Sequence, residues 1–120
     1  MKSSRSFVAF VVEQLGRTLP KVRAQRTFGF IGLYLDRRFF GVITEERLFF
    51  KVDASTRPAY VARGMAPLNA GPRKSADGGY YEVPADVLED PVLLGEWAEG
   101  ALAVAGAKAA AHRKPRRPRG

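Results

Sequence analysis

Apolar positions recur in two rhythms along this chain, and the change of rhythm separates strands from helices. From Phe28 to Asp53 the sequence FGFIGLYLDRRFFGVITEERLFFKVD holds three apolar runs separated by two short charged breaks, Asp36-Arg37 and Glu45-Glu46. Short runs rich in aromatic and β-branched residues, punctuated by polar pairs, predict a three-stranded antiparallel meander. With each break taken as a two-residue hairpin loop, Tyr34 faces Phe39, Gly32 faces Gly41 and Phe30 faces Ile43. Across the second turn Ile43 faces Leu48, Gly41 faces Phe50 and Phe39 faces Val52. Directly opposed residues share a face of the sheet. One face then carries Phe30, Gly32, Tyr34, Phe39, Gly41, Ile43, Leu48, Phe50 and Val52, without a charge. The other mixes Ile31, Leu33, Leu35, Phe40, Val42 and Phe49 with Arg38, Arg47, Lys51 and Asp53.

The uncharged face is expected to lie under helices. Gly32 and Gly41, side by side at its centre, would leave a groove for a helix or an aromatic ring. The mixed face is too charged for a deep core and too apolar for an ordinary solvent face. It predicts either a surface for a protein partner or self-association, or one covered by the C-terminal helix or a loop. As a partner surface it would act through Leu33, Arg38, Phe40, Arg47, Phe49 and Lys51.

The helical rhythm brackets the meander. Phe7, Val8, Val11, Val12 and Leu15 recur at helical spacing over residues 4–16, and Gly16 stops them. This reads as a core helix; a membrane-surface helix would need a longer apolar face and more cations. After Pro20, residues 22–27 alternate loosely as a polar edge strand, whose Arg23 and Arg26 either guard the edge or face a phosphate. Residues 55–64 read as a short helix capped by Ser55 and ended by Gly64, with Tyr60 and Val61 turned inward. A Pro- and Gly-rich loop covers 65–79, and Tyr80 to Val83 is a strand with Tyr81 and Val83 on one side. A helical turn covers Pro84 to Glu89. Asp90-Pro91 then starts a helix whose stripe is Val92, Leu93, Leu94, Trp97, Ala98, Ala101, Leu102 and Ala105.

Composition narrows the chemistry. A chain of 120 residues has room for one domain, and without cysteine it has neither a disulfide framework nor a thiolate nucleophile. The single histidine, His112, lies in a basic run, so no Cys/His zinc site can be assembled. Glu13 and Gln14 interrupt the short apolar patch near the start, which argues against a signal peptide, and no run approaches membrane-spanning length. A cytoplasmic protein is expected.

The net charge of +8 is uneven: residues 77–99 carry acids without a base, and residues 108–120 carry Lys108, Arg113, Lys114, Arg116, Arg117 and Arg119 without an acid. The division expected is a single domain over 1–107 and a disordered basic tail over 108–120. Arg113, Lys114, Arg116, Arg117 and Arg119, with Arg23 and Arg26, are the candidate nucleic-acid contacts; the tail would bind phosphates weakly and without sequence preference, or serve only to solubilise.

Other constellations fall to simpler readings. Glu82, Glu89 and Asp90 are close in sequence, but Glu82 fits strand alternation and Asp90 fits a helix cap, not a catalytic pair. Gly29 and Gly32 lack the third glycine and following helix of a dinucleotide fingerprint. Tyr34, Phe39, Phe50, Tyr80 and Tyr81 with Lys51 and Arg47 have the residue types of a base-stacking platform. In the register above, however, Tyr34, Phe39 and Phe50 lie away from the cations and belong to the core. No catalytic residue, cofactor or metal site is expected, and the chain reads as non-enzymatic.

Several of these features occur together in a known order. The Phe28-Gly29 step, Gly-Leu-Tyr-Leu-Asp at 32–36, Leu-Phe-Phe-Lys-Val-Asp at 48–53, Thr-Arg-Pro at 56–58, Tyr-Tyr-Glu-Val-Pro at 80–84 and the Asp90-Pro91 helix start resemble the TfoX N-terminal domain family over roughly residues 5–105. The resemblance implies an α+β fold in two layers, an antiparallel sheet with helices packed mainly on one face. It also implies a non-enzymatic regulator of the kind associated with natural competence and transcription. The chain departs from the family where turns usually read Asp-Gly, and it ends in a basic tail where longer members carry a further domain.

Overall fold

Ser4 converts an exposed start into a helix. Its Oγ accepts a hydrogen bond from the Phe7 N–H at 3.2 Å, and α1 runs Arg5–Gly16. The computed structural model describes residues 4–27, 29–68 and 79–112. After α1 come β1 (Arg23–Thr27), β2 (Phe30–Leu35), β3 (Arg38–Thr44), β4 (Arg47–Lys51), α2 (Arg57–Ala62), β5 (Tyr80–Glu82), α3 (Ala85–Leu88) and α4 (Pro91–His112). The strands form one antiparallel sheet in chain order, β1-β2-β3-β4-β5. Core residues of α1, α3 and α4 pack with Ile31, Leu33, Phe40, Ile43, Leu48, Phe50 and Val52 of the sheet in one hydrophobic cluster. This is the expected two-layer α+β arrangement.

The expected register holds in part. Tyr34 pairs with Phe39, Gly41 with Phe50 and Ile43 with Leu48. Between Leu33 and Tyr34 the ladder shifts, so Leu33 opposes Gly41, Gly32 opposes Val42 and Ile31 opposes Ile43. Phe40 is the extra residue of a β-bulge. The expected Gly32–Gly41 and Phe30–Ile43 pairs therefore do not form, and β4 stops at Lys51, before a Phe39–Val52 pair.

The bulge re-sorts the faces. A bulge breaks the alternation of a strand, so Phe40 joins Gly41 on the helix side instead of opposing it. Phe40 is 0 % exposed, with its ring 5.7 Å from that of Phe50. Leu33 follows it inward, while Phe30, Gly32, Tyr34 and Phe39 turn outward with Val42, Phe49 and Lys51. The two glycines thus serve opposite faces. A Cβ at Gly41 would meet Leu33 and Phe50 side chains at 3.2 Å; one at Gly32 would meet the Phe39 and Tyr34 rings at 3.0 Å.

Both hairpin loops have two residues, closed by Leu35–Arg38 and Thr44–Arg47. Lacking glycine, they place Asp36, Glu45 and Glu46 in left-handed backbone, at φ 58°, 54° and 62°. That conformation costs a non-glycine residue roughly 1 kcal/mol. Glu46 has a compensating role, since its carboxylate accepts from the Ser4 N–H and Oγ at the start of α1. Glu45 has no such bond among the described residues. Glu45→Gly should therefore raise stability, by about 0.5 kcal/mol after the added freedom of the unfolded chain is counted. The urea midpoint should rise at constant slope; a lower midpoint would contradict the strain.

α4 lies against β3 and β4, and α1 and α3 pack on α4. Asp90 starts α4 as expected, its Oδ1 accepting from the N–H groups of Val92 at 3.1 Å and Leu93 at 3.2 Å. Gln14 ties α1 to the end of α3, donating from Nε2 to the Leu88 carbonyl at 3.0 Å. Trp97 meets the buried Tyr60 edge-on at 4.7 Å, and Arg63 lies over the Trp97 ring while pairing with Asp86. Among the described residues no helix is long and apolar enough to cross a membrane.

Some local expectations need correction. Thr56, not Ser55, precedes α2 as its cap residue. The turn is organised by Asp53, whose Oδ1 accepts from the Ser55 hydroxyl at 2.7 Å and the Ser55 N–H at 2.9 Å. These bonds, led by that from the hydroxyl, hold the Asp53 carboxyl below its usual range. Val61 and Val92 are 54 % and 64 % exposed, because Tyr60 and Leu94 occupy the inward positions of their turns. Helix α4 continues to His112, and residues 113–120 lie outside the described residues. The start of the 65–79 loop is also ordered: Glu82 N–H donates to the Ala66 carbonyl and Leu68 N–H to that of Tyr80, laying residues 66–68 along β5. Residues 69–78 of that loop lie outside the described residues.

Candidate functional site

Strand alternation and cross-strand pairing place one set of side chains on the sheet face opposite the helices. β1 contributes Arg23, Gln25 and Thr27, opposed to Tyr34, Gly32 and Phe30 of β2. β3 adds Phe39, Val42 and Thr44, β4 adds Arg47, Phe49 and Lys51, and β5 adds Tyr80 and Glu82. No described helix covers this outer face.

Its centre is aromatic. The Tyr34 and Phe39 rings stack at 5.0 Å, leaning into the space Gly32 leaves, and Phe30 lies 6.4 Å from Phe39 in a near-parallel plane. Tyr80 tilts against Phe39 at 6.0 Å. Lys51 Nζ sits 5.4 Å from the centre of Phe39 and 5.7 Å from that of Tyr80, within cation–π range of both. Burial, with Tyr34 adding to it, pushes the Tyr80 hydroxyl up to about 12. It is therefore neutral at ordinary pH and able to donate a hydrogen bond. Phe30, Tyr34, Phe39, Lys51 and Tyr80 are all half-buried, shielded by one another.

Beside this cluster lies an open cleft of about 420 Å³, lined by Phe30, Val42, Phe49 and Leu68, with Thr44, Arg47 and Glu82 as polar groups. Arg47 Nε and Glu82 Oε2 are 3.9 Å apart, so the cleft carboxylate faces a cation across the strand pair. Among the described residues no cluster of three or more His, Cys, Asp or Glu could hold a metal ion. The arrangement offers an apolar, aromatic area with a cation within it and polar groups at one side. Chemically it suits contact with another surface.

The six residues expected to form one interaction face are divided. Leu33 and Phe40 are 0 % exposed in the core, because the bulge turns both inward. Arg38 is half-buried, and its side chain lies 3.5 Å from where a Cβ on Gly106 of α4 would stand. Arg47, Phe49 and Lys51 are on the outer face, but Phe49 is only 5 % exposed there, so Arg47 and Lys51 alone of the six are open to a partner on it. Arg23 and Arg26 are exposed on β1, one on each face. Arg113, Lys114, Arg116, Arg117 and Arg119 lie outside the described residues.

Phe30, Tyr34 and Phe39 are the site residues that the unbulged register hid, and Tyr80 joins them through its pairing with Lys51. The expected separation of Tyr34 and Phe39 from Lys51 and Arg47 is absent; only Phe50 belongs to the core. The available signal was the Phe39-Phe40-Gly41 step, where two large apolar residues followed by glycine give a bulge both its side chain and its space.

A family model, that of the TfoX N-terminal domain, matches residues 13–105. The matched stretch starts within α1, includes all five strands and covers α4 through Ala105. No curated protein matches the chain.

Proposed function

Because the chain belongs to the TfoX N-terminal domain family, we propose that it is a small regulatory domain without chemistry of its own, which works in the cytoplasm by binding a protein partner. The observation that supports this is the sheet face that no described helix covers, where Phe30, Tyr34, Phe39 and Tyr80 lie around Lys51. Interface cores are enriched in aromatic residues, which bury large areas at small conformational cost. Here Gly32 and mutual stacking hold the rings in place, so little ordering remains for a partner to impose. Family membership supports a role in competence and transcription regulation, and the outer face is the part of the molecule to which we assign it.

The test is a double substitution, Tyr34→Ser with Phe39→Ser. Both side chains are half-buried outside the core cluster, so the variant should keep its helical and strand signals in circular dichroism. Proteins that co-purify with the tagged wild-type chain should be lost or reduced at least about tenfold, as for truncation of interface anchors. Recovery of the same proteins in the same yield with the folded variant would overturn the assignment.

A further inference from the structure

The outer edge of β1 borders the aromatic face and presents main-chain groups that lie beyond it. β1 ends the sheet, and all five of its residues are exposed. Its pairing with β2 is unbroken from Arg23–Tyr34 to Thr27–Phe30, without bulge or proline. Protected edges are short, charged, bulged, proline-bearing or covered. This one is regular and stands clear of the core, and its protection consists of charge alone.

That charge has one sign. Between Glu13 and Asp36 there is no acid, while Arg17, Lys21, Arg23 and Arg26 supply four cations. Arg23 shares a face with Tyr34 and Arg26 shares the opposite face with Ile31, so any strand added to this edge would have a guanidinium on each side. Among the described residues neither Arg23 nor Arg26 has an acidic partner within 4.0 Å. The pattern repels a second copy of the same edge and favours a strand of opposite charge, which is selectivity by repulsion and attraction together.

We infer that the β1 edge accepts an extended acidic segment of a partner protein as a sixth strand. Main-chain hydrogen bonds supply the pairing in this mode, and side chains supply the choice of partner. A nucleic acid could use the charges and single N–H donors, but it cannot return the alternating N–H and C=O groups of a strand ladder.

The probe is a fluorescein-labelled peptide of alternating glutamate and valine, one strand in length, added to the full chain at low salt. Anisotropy should show binding, and every second β1 amide, those turned away from β2, should shift and exchange more slowly with solvent. Arg23→Glu with Arg26→Glu, both at exposed positions, should weaken binding at least about tenfold. Any of four results would overturn the inference: no binding at about millimolar peptide; equal binding of a proline-substituted acidic peptide; equal protection of these amides by a single-stranded oligonucleotide; or protection that appears with protein concentration alone, which would make the occupant a second copy. The Tyr34→Ser, Phe39→Ser variant leaves this edge in place, so the two surfaces fail separately.

Discussion

Phe40→Ala should cost about 3–5 kcal/mol of stability, the range for truncating a buried phenylalanine. Phe39→Ala, one residue earlier, should cost about 1 kcal/mol, as for loss of a half-buried ring pair at a surface. In strand alternation two neighbours on opposite faces often differ in this way; here the direction of the difference is the point. Without the bulge Phe39 would be the core residue and Phe40 the surface one. With it, Phe40 packs at 5.7 Å against Phe50 under the helices, and Phe39 stacks on Tyr34 outside. Small domains have only about 5–15 kcal/mol in total, so Phe40→Ala should lower Tm by well over about 10 °C or leave the chain unfolded. Thermal and urea denaturation of the two variants decide the matter. Equal losses, or a larger loss for Phe39→Ala, would contradict the bulged register.

Gly95→Ala should be the second severe substitution, at about 1–3 kcal/mol, although alanine is ordinarily the better helix former by about 1 kcal/mol. A Cβ on Gly95 would stand 2.3 Å from Thr18 Oγ1, 3.1 Å from its Cβ and 3.2 Å from its Cγ2. Rotating Thr18 moves its outer atoms but not its Cβ, so α4 or the turn after α1 must give way. The diagnostic is a double-mutant cycle with Thr18→Gly, which removes all three atoms. Stability lost in Gly95→Ala should largely return in the double variant, giving a coupling energy above about 1 kcal/mol. Additive losses would mean that the glycine serves the helix for another reason.

The elements were legible because each had a local cause. Helical spacing from Phe7 to Leu15, the Asp90-Pro91 start and the charged pairs at 36–37 and 45–46 each predict a feature that the fold contains. The register of β3 on β4 was legible too, since the Glu45-Glu46 break leaves a two-residue loop that fixes which residues oppose. The face assignment of β2 was not. Its two alternate sets, Phe30-Gly32-Tyr34 and Ile31-Leu33-Leu35, are both apolar, so polarity cannot say which turns inward. The unbulged register carries this into the site, placing Leu33 and Phe40 on a surface and Tyr34 and Phe39 in a core, the reverse of the fold. The caps show the same problem in miniature: Asp53, Ser55 and Thr56 all carry suitable oxygens within four positions, and only packing selects Asp53 to organise the turn.

The bulge also bears on how the chain avoids a rival fold. A sequence folds reliably when a wide energy gap separates its native pairing from compact competitors. The unbulged alignment of β2 with β3 is such a competitor, being apolar on the inside as well and closing on the same hairpin loop. A one-residue slip is usually rejected because it would bury polar groups, and on β2 that safeguard is missing. Selection therefore falls to shape. Phe40 fills space beside Phe50, and Gly32 lets Tyr34 and Phe39 lie close to the sheet where any larger residue would lift them. Two side-chain volumes, one maximal and one absent, take over the discrimination that polarity performs in most sheets.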